Sequence, residues 1–288
     1  MGYRFKIQAE NFNGISSESP VGLMHSCTVP KDLDAPYIVS TSSTSMTLEW
    51  VAPSNDGGCP VTGYALFRDD GSSGVPDIEV NTADDPSIRN IPTLRRAVTE
   101  FDVADLGTKY AFQLKVYNRE GETSSTVISY LFSTTPDTPS SGPVVLQQSS
   151  TLIQTENVFT DSTGGSQILS YNIQYGASYN GSMVDVIGGA GDPNALVTVL
   201  TLDNTYIQKG ITYSFRYRVL NEKGWSDFSS ETLVEAADPP SQPDAPALVS
   251  ASSTSFQLEF NMGTIDNNGS QILSYRLESD GGVHSAAF

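Results

Sequence analysis

Cysteine is scarce in this chain: two in 288 residues, Cys27 and Cys59. That is too few for the disulfide frameworks that replace a core in small secreted domains. Histidine is equally scarce, with only His25 and His284. Neither has a paired acid or nucleophile in view. No His-Glu-x-x-His, glycine-rich phosphate loop or paired-cysteine metal pattern occurs. Catalysis is not expected of this segment, and neither is a cofactor or a metal. Basic residues number 15 against 33 acidic ones, a net charge of −18. Nucleic acid and anionic lipid surfaces both attract Lys and Arg, so both are disfavoured as partners. No run approaches the ~18 apolar residues of a membrane span. Met1-Gly2-Tyr3-Arg4-Phe5-Lys6 reads as a strand rather than as the apolar core of a signal peptide.

What the chain does have is repetition. Tyr3-Arg4-Phe5-Lys6-Ile7-Gln8-Ala9-Glu10-Asn11 is echoed by Tyr110-Ala111-Phe112-Gln113-Leu114-Lys115-Val116-Tyr117-Asn118. It returns as Tyr213-Ser214-Phe215-Arg216-Tyr217-Arg218-Val219-Leu220-Asn221. Each run alternates apolar with polar residues, the period of a half-buried strand. A glycine follows each asparagine, at Gly14, Gly121 and Gly224. Asn and Gly tolerate positive φ, so each echo predicts a β-hairpin. The echoes recur at a small-domain length of roughly 100 residues, which makes the chain an array of modules.

A second element precedes each hairpin. Ser43 to Trp50 leads through a Pro/Gly-rich loop to Gly63-Tyr64-Ala65-Leu66-Phe67. Its counterparts are Ser150 to Asn157 with Ser170 to Tyr175, and Ser253 to Phe260 with Ser274 to Leu277. Pro36, Pro143 and Pro246 open the periods. Proline cannot donate to a ladder and suits a first edge strand or the linker before it. The middle copy places Asn157 where Trp50 and Phe260 stand, which leaves the register of its second strand open.

These residues resemble fibronectin type III modules: the early proline, Trp50 in the second strand, and the run Leu106-Gly107-x-x-Tyr110-x-Phe112-x-Leu114-x-Val116-x-Asn118. The resemblance covers essentially the whole chain and implies an all-β fold of tandem seven-stranded immunoglobulin-like sandwiches. It divides the chain into the closing strands of a partial module (1–29), complete modules at 30–135 and 136–237, and the opening three or four strands of another partial module (238–288). It also makes Tyr110 and Tyr213 corner tyrosines, with the Tyr110 hydroxyl bonded back to the backbone near Leu106. Such a fold says little about partners.

The two partial modules each carry an apolar strand face, Tyr3, Phe5 and Ile7 at one end and Phe256, Leu258 and Phe260 at the other. Neither end reads as a natural boundary. Two readings stand: a segment of a longer array, or head-to-tail assembly in which a second copy of the chain completes the sheet.

Cys27 falls before the first complete module and Cys59 in its second-to-third strand loop, at the pole where such a sandwich's chain enters. They form a candidate disulfide, with two free thiols as the alternative. Asn180-Gly181-Ser182 and Asn268-Gly269-Ser270 match the N-glycan acceptor pattern, at a number no greater than chance supplies. Gly224-Trp225-Ser226-Asp227-Phe228-Ser229 resembles the Trp-Ser-x-Trp-Ser box of cytokine-receptor modules, with Arg216 and Arg218 placed to stack near Trp225. Asp69-Asp70, Asp84-Asp85 and the pair Asp102 and Asp105 lack the spacing of a calcium cage and read as solvated loop carboxylates. The leading functional expectation is a structural or adhesive array at the cell surface or outside the cell. Its partners are then further modules, second copies, other proteins or glycans. An intracellular cytoskeletal or ciliary scaffold and a spacer on a secreted enzyme are the alternatives.

Overall fold

The computed structural model describes residues 2–72, 74–81, 86–178, 180–189 and 195–279. The chain forms two compact units: Met1–Pro136 with Ser162–Gln167, and Asp137–Asp161 with Ile168–Phe288. Residues 162–167, expected in the 136–237 module, thus group with the first unit. Asp84, Asp85 and His284 lie outside the described residues.

The first unit opens on β1 (Gly2–Phe5), β2 (Glu10–Asn11), β3 (Gly14–Ile15) and β4 (Gly22–His25). β1 pairs antiparallel with β4, Tyr3 opposite Met24, and β2 with β3 across the Asn11–Gly14 turn. There follow β5 (Tyr37–Thr41), β6 (Met46–Glu49), β7 (Gly63–Arg68), β8 (Ile78–Glu79) and β9 (Arg95–Val98). A 3-10 turn at Val103–Asp105 leads to β10 (Lys109–Asn118), β11 (Gly121–Ser124) and β12 (Ile128–Leu131). One sheet runs β5-β6-β9; the other runs β8-β7-β10, with β11 and β12 sharing the far side of β10. Counting β11 and β12 as one interrupted edge, this is a seven-stranded sandwich.

Alternation decides the core. Tyr110, Phe112, Leu114 and Val116 all turn inward from β10, against Met46, Leu48 and Trp50 of the facing sheet. Burying each such side chain is worth about 1.5–3 kcal/mol.

The second unit repeats the plan with β13 (Val144–Gln148), β14 (Leu152–Glu156), β15 (Ser170–Ala177), β16 (Val184–Ile187) and β17 (Val199–Asp203). β18 (Thr212–Asn221), β19 (Gly224–Trp225) and β20 (Thr232–Glu235) complete the sandwich. A hairpin of β21 (Ala247–Ala251) and β22 (Phe256–Glu259) is the last regular structure among the described residues. Three or four strands were expected beyond residue 238; two form among the described residues.

The middle copy's second strand keeps its register. Ile153 and Thr155 of β14 are buried as Met46 and Leu48 are, and Asn157 follows on the same face. The lost indole is offset across the sandwich. Where β10 has Leu114, β18 has Tyr217, fully buried, with its hydroxyl donating to the Val158 carbonyl at 2.9 Å. The aromatic pair survives by changing sheets: Trp50 lies 5.6 Å from Tyr64, and Tyr217 lies 6.4 Å from Tyr171. Burial raises the Tyr217 hydroxyl to about 12.

Each first strand bulges at one place, leaving Val39, Leu146 and Val249 as the extra residue. A bulge twists an edge strand away from foreign partners, which protects an array rich in sheet edges. The terminal hairpins are less protected. Tyr3, Phe5, Ile7, Phe256, Leu258 and Phe260 are all exposed.

Candidate functional site

Chemistry-bearing residues collect in two places. One is the chain's entry into the first sandwich, where β4 ends and the loop between β6 and β7 comes close. Cys27 and Cys59 are joined there, with Cα atoms 5.6 Å apart. Closing a loop with a sequence separation of 32 is worth about 3–4 kcal/mol in the chain-entropy picture. The next residue is held on both sides of its peptide. Thr28 N–H donates to the Gly57 carbonyl at 3.0 Å, and the Thr28 carbonyl accepts from Asn118 Nδ2 at 2.7 Å. The same Nδ2 reaches the Asp56 carbonyl at 2.9 Å, and Thr123 Oγ1 donates to the Pro30 carbonyl. Asn118, read from sequence as a turn former, therefore also ties linker to loop. Its Oδ1 keeps the turn role by accepting from Glu120 N–H.

The second place is the outer face of β15, β16 and β18. Arg218 lies over Trp225 at 4.8 Å and over Phe228 at 4.5 Å. Arg216 lies over Phe228 at 4.4 Å rather than over Trp225, because its strand position faces the next aromatic along. Hydrogen bonds fix both guanidinium planes: Arg218 Nε donates to Asn172 Oδ1 at 3.0 Å, and Arg216 Nε to Gln174 Oε1 at 2.9 Å. The amide groups of Asn172 and Gln174 in turn donate to Asp185 Oδ1. Those two donors, Asn172 first, hold the Asp185 carboxyl below its ordinary range. The result is a rigid surface of stacked cations and rings, each stack worth ~0.5–1 kcal/mol at an exposed site. The polar row beneath it was not legible, since Asn172, Gln174 and Asp185 meet Arg216 and Arg218 only through strand register.

The remaining expectations meet mixed geometry. Tyr213 accepts from Gln208 N–H at 2.8 Å, a corner bond to the backbone upstream. Tyr110 is buried at the matching place, with the Asp105 carboxylate close enough to act on its hydroxyl. Burial first, then the Asp105 charge, raises the Tyr110 hydroxyl above its ordinary value.

Asp69 is no solvated loop carboxylate. It is 2% exposed and accepts from Ala111 N–H and Gly74 N–H, each at 2.9 Å. Asp105 accepts from the Asp102 N–H at 2.7 Å, capping the 3-10 turn. Among the described residues no His, Cys, Asp and Glu side chains converge as a metal site. Asn180 is exposed, its Oδ1 accepting from Ser182 N–H. Asn268 differs: its Nδ2 donates to the Pro239 carbonyl at 2.6 Å and its Oδ1 accepts from Lys209 Nζ at 3.0 Å. Asn268 is thus half-buried and bonded where Asn180 is open, and both keep the acceptor pattern. No helix among the described residues is long and apolar enough to cross a membrane.

Two-sheet sandwiches repeated in tandem, with bonded linkers between them, define an immunoglobulin-like repeat protein. Comparison with known proteins names the repeat. Residues 30–130 match the family model of the fibronectin type III domain. That span is the first complete sandwich, and the second sandwich repeats its strand plan. The chain is 26% identical over 284 residues to fibronectin type-III domain-containing protein 3a of Gallus gallus, covering 96% of this chain and 22% of that protein. Myomesin-2 of Homo sapiens is 26% identical over 250 residues, covering 81% of this chain and 16% of that one. The crystal structure of chicken CNTN1 FN1-FN3 domains aligns with a TM-score of 0.40 at 15% identity, over 81% of this chain and 76% of that one. The chain thus spans about a fifth of the length of the chicken relative.

Proposed function

We propose that this segment is a non-catalytic structural array, composed of complete modules at 30–135 and 136–237 with parts of modules at 1–29 and 238–288. It works outside the cell or at its surface, spacing and presenting sandwich faces to other proteins or glycans. The bridge between Cys27 and Cys59 carries this reading, because such bonds persist in oxidising compartments and are rare in reducing ones. The bond spends its stabilisation on the entry to a sandwich that already has a full core, which suits a protein whose work is to hold position. The exposed apolar faces of the terminal hairpins are covered by modules of the same chain or by a second copy.

The test is surface labelling of intact source cells with an impermeant amine reagent, followed by capture of the protein. Labelling without permeabilisation is the expected result. Labelling only after permeabilisation overturns the extracellular assignment and favours an intracellular scaffold of the same modules.

A further inference from the structure

Consecutive left-handed residues occur in three equivalent loops. Gly57 and Gly58 have φ of 74° and 84°, Gly164 and Gly165 have 69° and 78°, and Asn268 and Gly269 have 50° and 97°. Each pair follows the second strand of its copy. In each, the carbonyl of the first residue accepts the N–H of a linker residue: Thr28 to Gly57 at 3.0 Å, Thr134 to Gly164 at 2.8 Å, and Asp238 to Asn268 at 3.1 Å. Thr134 and Gly164 both belong to the first unit, and Asp238 and Asn268 to the second. A second bond accompanies the first in two loops. Three residues further along the linker, Lys31 N–H donates to the Asn55 carbonyl and Ser241 N–H to the Asp266 carbonyl.

The close approach explains the glycines. A Cβ on Gly57 would lie 2.1 Å from the Thr28 carbonyl oxygen, and one on Gly164 would lie 2.4 Å from that of Thr134. The following glycine presses on a corner: a Cβ on Gly165 would meet Gly107 N at 2.3 Å, and one on Gly269 would meet Gly210 N at 2.8 Å. Gly107 and Gly210 are themselves left-handed and stand three residues before the corner tyrosines. Asn268 replaces glycine in the last loop and is the non-glycine residue best suited to that conformation. It compensates with side-chain bonds to Pro239 and Lys209.

We infer that this loop is a repeated clasp: a binding site for the linker backbone, which locks the chain's entry in a fixed geometry. Two of the three clasps carry a reinforcement of their own. The first has the Cys27–Cys59 bridge. The last has Lys209 paired with Asp266 at 3.1 Å, while Asp266 N–H is taken by Ser241 Oγ at 2.8 Å. The inference does not depend on where the protein resides, since it rests on backbone bonds alone.

The test is amide hydrogen exchange resolved by residue on the full 288-residue chain. Free linkers exchange at unprotected rates, because their N–H groups face water. The amides of Thr28, Lys31, Asp238 and Ser241 are expected to exchange roughly thirtyfold slower, the factor that about two net hydrogen bonds supply, and the Thr134 amide, bonded to Gly164, at least roughly fivefold slower. Unprotected rates at these amides overturn the clasp. Two variants separate backbone geometry from side-chain bonding. Asn268→Gly retains the left-handed turn and keeps Asp238 protected. Asn268→Val, β-branched and strained at positive φ, returns Asp238 and Ser241 to unprotected rates. Amides of residues 213–219 must stay protected in both, which distinguishes clasp release from unfolding. A valine variant with Asp238 as protected as in the parent chain contradicts the role given to the left-handed pair.

Discussion

Replacing Tyr217 by leucine probes the exchange of volume across the second sandwich. The side chain is fully buried, its ring packs 6.4 Å from Tyr171, and its hydroxyl serves the Val158 carbonyl. Truncating a buried aromatic to alanine costs about 3–5 kcal/mol, and leucine retains roughly half the volume, leaving a cost near 2 kcal/mol. Removing the hydroxyl leaves the Val158 carbonyl without that donor, adding about 1 kcal/mol. The expected total is about 3 kcal/mol. The Tyr217 hydroxyl reaches the carbonyl of Val158, the residue after buried Asn157, so Tyr217→Leu with Asn157→Phe should recover about 1–2 kcal/mol of the loss, a coupling typical of neighbouring residues. Urea unfolding reports this directly through Trp225 fluorescence in a Trp50→Phe background, because the chain has two tryptophans. The single variant should lower the midpoint by roughly 1–3 M. A cost below about 1 kcal/mol, or a double variant no more stable than the single, refutes the compensation.

Other outcomes follow from the same geometry. Cys27→Ser with Cys59→Ser should destabilise the first sandwich by about 3–4 kcal/mol, read from the Trp50 transition in urea. Arg218→Ala should cost about 1 kcal/mol through the Trp225 and Phe228 stacks, while Arg218→Lys recovers only part of it, measured as a shift in melting temperature. Tyr217 has a raised folded-state pKa, so its contribution to stability is complete below the ordinary value near 10 and is lost as pH climbs to about 12. A pH series of urea midpoints that stays flat across that alkaline window contradicts its burial. Asp266 is held below its ordinary range, first by the Asn268 N–H and then by Lys209. Its contribution is therefore present above the usual carboxylate pKa and fades as pH falls through the depressed value. The protection of the Asp238 amide, its rate relative to an unstructured amide at the same pH, should fall in acid and hold at neutral pH.

The long hairpin strands were readable because period-2 alternation over Tyr110 to Val116 and Tyr213 to Val219 is a local signal that each strand carries alone. The repeat then supplied the topology. What escaped depends on residues distant in sequence. Asn157 reads as a defect until Tyr217, on the opposite sheet, is seen to fill the space. Asp69 sits beside Asp70 and reads as solvated, yet the adjacent β10 buries it and supplies the Ala111 N–H. Asn268 carries a glycan acceptor pattern, and that three-residue pattern says nothing of the bonds its side chain makes to Pro239 and Lys209. The clasp was half visible, in Gly57-Gly58, Gly164-Gly165 and Asn268-Gly269. Without the linker's position those pairs look like ordinary loop glycines.

A structural array whose entry is covalently fixed belongs in an oxidising setting. Peptide mapping of the protein from its own source, alkylated before digestion and never reduced, tests it most directly. One linked species joining the Cys27 and Cys59 peptides, converted to two by reduction, is the expected result. Two separately alkylated peptides, each carrying a free-thiol label in the unreduced digest, would contradict it.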